Sequence, residues 1–445
     1  MNHVFHRMPN DALPTAVSGS GAWLVDDQGQ RYLDASGGAA VSCLGHDNER
    51  VKRAIVEQVE TLSFAHSGFF TTEVMEALAD KLCAHAPDEL SRVYLLSGGS
   101  EANESALKLA RQYFLEKGEP NRTHFISRLH SYHGNTLGAL AVSGNLGRRE
   151  PYEPMLSSNV RHIAPCHAYR YQRDDETPQQ YGLRVANELE TAILALGAEN
   201  VAAFIAETVV GATMGAVGPV PGYFKRIREI CDQYGVLLIL DEVMCGAGRT
   251  GTMFSFEQDG IVPDMVSMAK GLGGGYQPVG AVLASNDIYT AITSGSGFFR
   301  HGHTYMGHAT VCAAALAVLS EIEDGNLLAN VQAQGAALNT ALLEAFGQHP
   351  HVGDVRGRGL FQAIELVRDR DGKLPFDTAD RLYARIKKQA MKRGLICYPM
   401  GGTADGHNGD HVLLAPPYIV TADDVGEMVG RLSGAVDDAL REILA

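Results

Sequence analysis

Nowhere does the chain carry an apolar run approaching the ~18 residues that cross a bilayer. Its opening, "MNHVFHRMPNDALP", has no apolar core of the kind that directs secretion. Cys-x-x-Cys pairs are missing as well. The seven cysteines, Cys43, Cys83, Cys166, Cys231, Cys245, Cys312 and Cys397, are scattered and odd in number, which excludes a disulfide framework and leaves reduced thiols as the expectation. Neither Cys166-His167 nor the histidines of "HGHTYMGH" have a spacing that brings three ligands together on one element, so no metal is expected. Positive charge is scarce: 37 Lys and Arg face 52 Asp and Glu, a formal net charge of -15. Nucleic acids and anionic membranes select clustered cations. The expectation is therefore a cytoplasmic protein that binds small molecules, with no nucleic acid and no membrane among its partners. No G-x-G-x-x-G follows an early strand, which sets aside a nucleotide-binding oxidoreductase, and no internal repeat is visible.

What is present is an ordinary globular composition, 45% hydrophobic and 20% charged over 445 residues, enough for more than one core. Apolar runs of four to six residues recur, each followed by a Gly-rich turn or a helical pattern: "VYLL", "HFIS", "VAAFIA", "VLLIL", "DMVSMA" and "GAVLAS". Uninterrupted apolar runs of this length read as strands of a parallel sheet covered on both faces. Helical stretches lie between them. In "EANESALKLARQYFLEKG", Ala106, Ala110, Tyr113 and Phe114 share a face, and in "GYFKRIREICDQYG" Phe224, Ile227 and Ile230 or Cys231 do, ending at Gly235. The pattern predicts an α/β fold with a mainly parallel sheet in a large domain over residues 55–320. Residues 1–54, with a hairpin turning at Asp26 to Gly29, and residues 321–445, with long helical patterns and the extended "GLFQAIELV", are assigned to a smaller α+β domain.

Lysine favours a solvated surface, yet Lys270 stands between the apolar "DMVSMA" and the glycines of "GLGGG". Alone, it reads as a solvated strand end. In an open parallel sheet, however, ligands bind beyond the carboxyl ends of the strands. Asp241 follows "VLLIL", Glu207 follows "VAAFIA", and "SGGSEAN", Ser97 to Asn103, follows "VYLL". That last turn opens a helix. Its N–H groups, the Ser100 hydroxyl and the helix dipole suit a phosphate, although an unliganded N-cap turn reads the same way. Asp241 alone suits a cap or a structural ion pair equally well. Together, a phosphate cradle, a buried carboxylate and an amine are what pyridoxal phosphate requires: an anchor, a partner that keeps the ring nitrogen protonated, and a covalent attachment point.

Five motifs, "GGSEANESALKLA", "HSYHGNTLGAL", "LILDEVMCGAGRTG", "SMAKGLGGGYQPVGAV" and "HGHTYMGHATVCAAAL", occur in an order and spacing that resemble the class-III aminotransferases, the ω-transaminase family of fold-type-I pyridoxal phosphate enzymes. The resemblance runs from "YLDASGGAAVSCLGH" to "LLAPPYIVT". It implies transfer of an amino group from a primary amine or ω-amino acid to a keto acid, with decarboxylation, racemisation or amine migration as other chemistries open to the same scaffold. It makes Lys270 the lysine that binds the cofactor covalently and Asp241 the partner of the ring nitrogen. Gly99 and Ser100 would hold the phosphate, Tyr132 and Val243 would face the two sides of the ring, and His133 and Glu207 would complete the cofactor site. Thr304 matches a threonine that reaches the phosphate from the neighbouring subunit, which implies a homodimer with shared active sites.

Departures from the family pattern are informative. Gly98 stands where serine is frequent, Thr208 replaces the proline after the acid, and Ala309 replaces a proline after "GH". Met244 stands where many members have a glutamine, and an apolar residue there resembles the branch that uses pyruvate. An arginine that reads the substrate carboxylate is expected near Leu413 or, in a mobile register, near Gly406; neither position carries one. Arg249, Arg300, His407 and His411 are the candidate readers. Phe69, Phe70, Trp23 and Tyr152 are candidates for the substrate pocket or, equally, for core packing.

Overall fold

The computed structural model describes residues 3–444. The apolar runs form one seven-stranded sheet, in the order Arg92–Leu96, Gly280–Ala284, Met265–Ala269, Leu237–Asp241, Val201–Glu207, His124–Arg128 and Val160–Ile163. Every residue of the Val201–Glu207, Leu237–Asp241 and Met265–Ala269 strands is buried, as strands covered on both faces must be. Six strands run in one direction. Gly280–Ala284 lies antiparallel to both of its neighbours, so the sheet is mainly, not wholly, parallel.

Helices cover both faces for local reasons. Pro178–Leu196 begins with a capping box between Thr177 and Gln180 and a proline in its first turn. Tyr223–Tyr234 ends at Gly235 in the left-handed conformation, and Phe224, Ile227, Ile230 and Cys231 all pack inward. Along Gly99–Glu116, Ala106, Ala110 and Phe114 are buried and Tyr113 is partly so.

The N-terminal hairpin pairs Trp23–Asp26 with Arg31–Asp34. Its turn is held by Asp26, whose carboxylate accepts the N–H groups of Gln28 and Gln30 at 3.0 and 2.8 Å. A further strand, Ala16–Ser20, adds to its edge, and Leu395–Ile396 pairs in parallel with Leu33–Asp34. A third sheet, all antiparallel, orders Val352–Arg358, Phe361–Leu366, Asp410–Leu414 and Tyr398–Gly401. One hydrophobic core joins residues from both ends of the chain, including Leu33, Leu44, Phe346, Ile364 and Leu432. No helix among the described residues is long and apolar enough to cross a membrane.

Candidate active site

Lys270, Asp241, Glu207, Gly99, Ser100, Tyr132, His133 and Val243 line a single cavity of about 320 Å³ at the carboxyl ends of the parallel strands. Asp241 is 4% exposed. Its Oδ2 accepts from the Asn103 side-chain amide at 2.7 Å and from His133 Nδ1 at 2.8 Å, and its Oδ1 accepts from the Val243 N–H at 2.9 Å. Asn103 is itself fixed, since its amide also donates to the His133 carbonyl at 2.7 Å and its Oδ1 accepts from the Ser267 hydroxyl. A carboxylate can only accept, so His133 carries its proton on Nδ1, and its buried Nε2 has no partner among the described residues.

Glu207 anchors the neighbouring wall. Its carboxylate accepts the Tyr132 N–H at 3.0 Å and the Gly211 N–H at 2.8 Å. Burial raises its pKa, with Asp241 adding to the rise against His133 and these two N–H donors. Lys270 follows its strand directly and adopts a left-handed backbone, φ 48°. Burial lowers its amine to about 8, a fall opposed by Asp241 and Glu207 and aided by Arg148.

The turn at Gly98 to Ser100 leaves donors open at a helix start. The Gly99–Glu116 helix starts after Gly98, which supplies no side-chain cap, so its first-turn N–H groups remain for an external acceptor. Ser100 Oγ accepts the Asn135 N–H at 3.1 Å, leaving its own proton to donate. Gly99 is obligatory, because a Cβ there would stand 2.6 Å from Val243 Cγ1. An uncapped helix start, a firmly held carboxylate, two acids facing one lysine and an unpartnered imidazole nitrogen fit a group that is anionic at one end and cationic at its ring. Pyridoxal phosphate has that distribution.

Other candidates lie elsewhere. Arg249 is 1% exposed, donates to the carbonyls of Leu360 and Pro416 at 3.2 and 2.5 Å, and lies 4.6 Å from the Tyr418 ring centroid. His411 is buried in a strand, bonded to the Thr403 hydroxyl at 2.6 Å, and burial lowers its pKa to about 3. Neither lines the cavity, nor do Arg300 and His407, both exposed. Gly406 has φ 93°, and a Cβ there would meet His130 and Leu146 at 3.4 and 3.5 Å. Trp23 stacks under Arg31 and Arg431, while Phe69, Phe70 and Tyr152 are exposed. Thr304 is also exposed and outside the cavity. Sequence reasoning missed the support given by Asn103 and Ser267, and Arg148, which stacks on Tyr132.

Residues 7–436 match the family Aminotransferase class-III. The chain belongs to this family of pyridoxal phosphate-dependent transaminases. It is 45% identical to an uncharacterized aminotransferase of Schizosaccharomyces pombe, covering 98% of this chain and 95% of that one. It is 33% identical to the gamma aminobutyrate transaminase 3, chloroplastic, of Solanum lycopersicum, over 96% and 81% of the two chains. The solved ω-transaminase of Pseudomonas jessenii in complex with PMP superposes with a TM-score of 0.93 at 33% identity, covering 100% and 97% of the chains.

Proposed function

We propose that this transaminase moves an amino group from a primary amine or ω-amino acid to a keto acid, with pyruvate the favoured acceptor. The observation that carries the reading is the convergence of Lys270, Asp241 and the uncapped helix start on one cavity. When bound, the cofactor supplies a carbonyl that condenses with amines and a ring that accepts the electron pair left at the substrate's Cα. Asp241, held by three donors, keeps a proton on the ring nitrogen. Gly99 and Ser100 hold the phosphate, Tyr132 and Val243 confine the ring, and Glu207 and His133 fix Tyr132 and Asp241 in place. Lys270 would hold the cofactor and, once displaced by substrate, would take the Cα proton on Nζ and deliver it to the cofactor's former carbonyl carbon, the transfer that separates transamination from racemisation. Burial lowers the pKa of this amine to about 8 and so favours the neutral form that can accept a proton.

A pyruvate preference is supported by Met244, 8% exposed in the cavity wall, which offers no donor to a second acceptor carboxylate. The relative named for gamma aminobutyrate supports an ω-amino donor. Two copies forming a homodimer would use Thr304 across the interface, a role supported by its exposure outside its own cavity and by the outward-facing Phe69 and Phe70, 81% and 68% exposed. Incubating the loaded protein with an amine donor and no acceptor should leave PMP and a carbonyl product without carbon dioxide. Borohydride should fix the cofactor onto Lys270. Release of carbon dioxide, or a label mapped to another lysine, would overturn the reading.

A further inference from the structure

The short Leu146–Arg149 turn, capped by Asn145, whose side chain accepts the Arg148 N–H at 3.1 Å, presents two adjacent arginines. Arg149 is committed to structure: it donates to the Ala141 carbonyl, to the Ser143 carbonyl at 2.7 Å and to Glu153 at 3.1 Å. Arg148 makes no ion pair and no side-chain hydrogen bond with any described residue. Its guanidinium carbon lies 4.2 Å from the centroid of the Tyr132 ring. Stacking engages the face of the guanidinium plane and leaves the N–H donors at its edge open. Tyr132 lines the cavity and its backbone is pinned by Glu207; Arg148 is half-buried against that ring, behind the lining residues rather than among them. Its field reaches Lys270, where, after burial, Arg148 lowers the proton affinity of the amine. The loop at Gly406 packs on the same turn, its carbonyl 3.9 Å from where a Cβ on Gly147 would stand.

We propose that Arg148 reads the carboxylate of the keto-acid acceptor. Asp241 and Glu207 make the cavity wall acidic, so an incoming carboxylate needs a cation that is not already engaged, and Lys270 is committed to the cofactor. A planar fork can take both carboxylate oxygens at once. This assignment rests on the keto-acid transaminase reading above and deepens it.

The test compares pyruvate with propanal, which lacks the carboxylate, as acceptors for the cofactor-loaded protein. In wild type the kcat/KM ratio favours pyruvate. Arg148→Gln lowers that ratio about tenfold or more, the scale of a lost charge-assisted contact, mainly through the KM for pyruvate. Arg148→Lys, which keeps the charge but not the fork, gives an intermediate ratio. Calorimetric titration with propionate, which cannot react, shows binding that weakens in the same order. A wild-type preference for pyruvate that survives in Arg148→Gln, or propionate affinity equal in both, overturns the assignment alone. A wild type that transfers to neither acceptor, or does not distinguish them, removes the keto-acid reading and this assignment with it.

Discussion

Two buried carboxylates of this molecule have opposite surroundings. Glu365, fully buried in the Phe361–Leu366 strand, meets Arg356 at 2.7 Å and Arg170 at 2.5 Å, with Asp354 pairing the same Nη1 of Arg356 at 2.8 Å. Two acids face two arginines, and the charge is closed. Asp241 is nearly as buried, but its donors are an amide, an imidazole and a backbone N–H, and the second acid beside it, Glu207, has no arginine on its carboxylate. The single lysine facing both has a lowered pKa. Burial of a carboxylate therefore does not mark a binding site. An acid held rigidly without a full counter-charge, at the wall of a cavity, does, because it stabilises whichever cation enters.

Exchanging charge for an isosteric amide should separate the two. Asp241→Asn should still fold, losing no more than about 1–3 kcal/mol, the cost of one unsatisfied buried donor, and lose at least about a hundredfold in turnover, as when one preorganised electrostatic partner is removed; single-turnover kinetics with denaturant unfolding measures both, and near-normal rates would sink the role given to Asp241. Glu365→Gln should do the reverse, losing about 3–5 kcal/mol because two arginines are left buried without their acid, while turnover per folded molecule stays near wild type. The smallest effect is the pH dependence of that loss. Burial disfavours the Glu365 carboxylate, but Arg356, His167 and Arg170 outweigh it and hold the carboxyl well below its usual range. A depressed pKa contributes stability that is fully present above the unfolded value of ~4.3 and is lost as pH falls toward the folded one. The gap between wild type and Glu365→Gln should therefore narrow below about pH 4, measured by urea unfolding across pH; a gap constant down to pH 2 would contradict the pairing.

The same contrast explains what could be read before the structure was in hand. Strands such as "VAAFIA" and "VLLIL" were legible because burial on both faces leaves no polar alternation, and the residues just past them, Glu207, Asp241 and Lys270, were legible by position. The reversed direction of Gly280–Ala284 was not, since a strand buried on both faces has the same composition whichever way it runs. His411, a candidate carboxylate reader by its place in "HNGDHVLL", proved to lie in the strand Asp410–Leu414 between Phe361–Leu366 and Tyr398–Gly401, which buries the imidazole away from the cavity. Arg148 and Arg149 are adjacent and chemically identical; only the tertiary partners of Arg149 show which of the two is free. Ser267 is a small hydroxyl within an apolar run, and nothing in the run signals that it orients Asn103.

The left-handed backbone at Lys270, φ 48°, has a consequence for how such a chain changes over generations. A side chain with a Cβ costs about 1–2 kcal/mol in that conformation, and glycine avoids the cost. Given the role proposed for Lys270, a population of variants sorted only for resistance to heat would drift toward glycine at position 270 and arrive at a sturdier protein without the amine proposed to hold the cofactor. Lysine would then persist there only where selection can see the reaction itself.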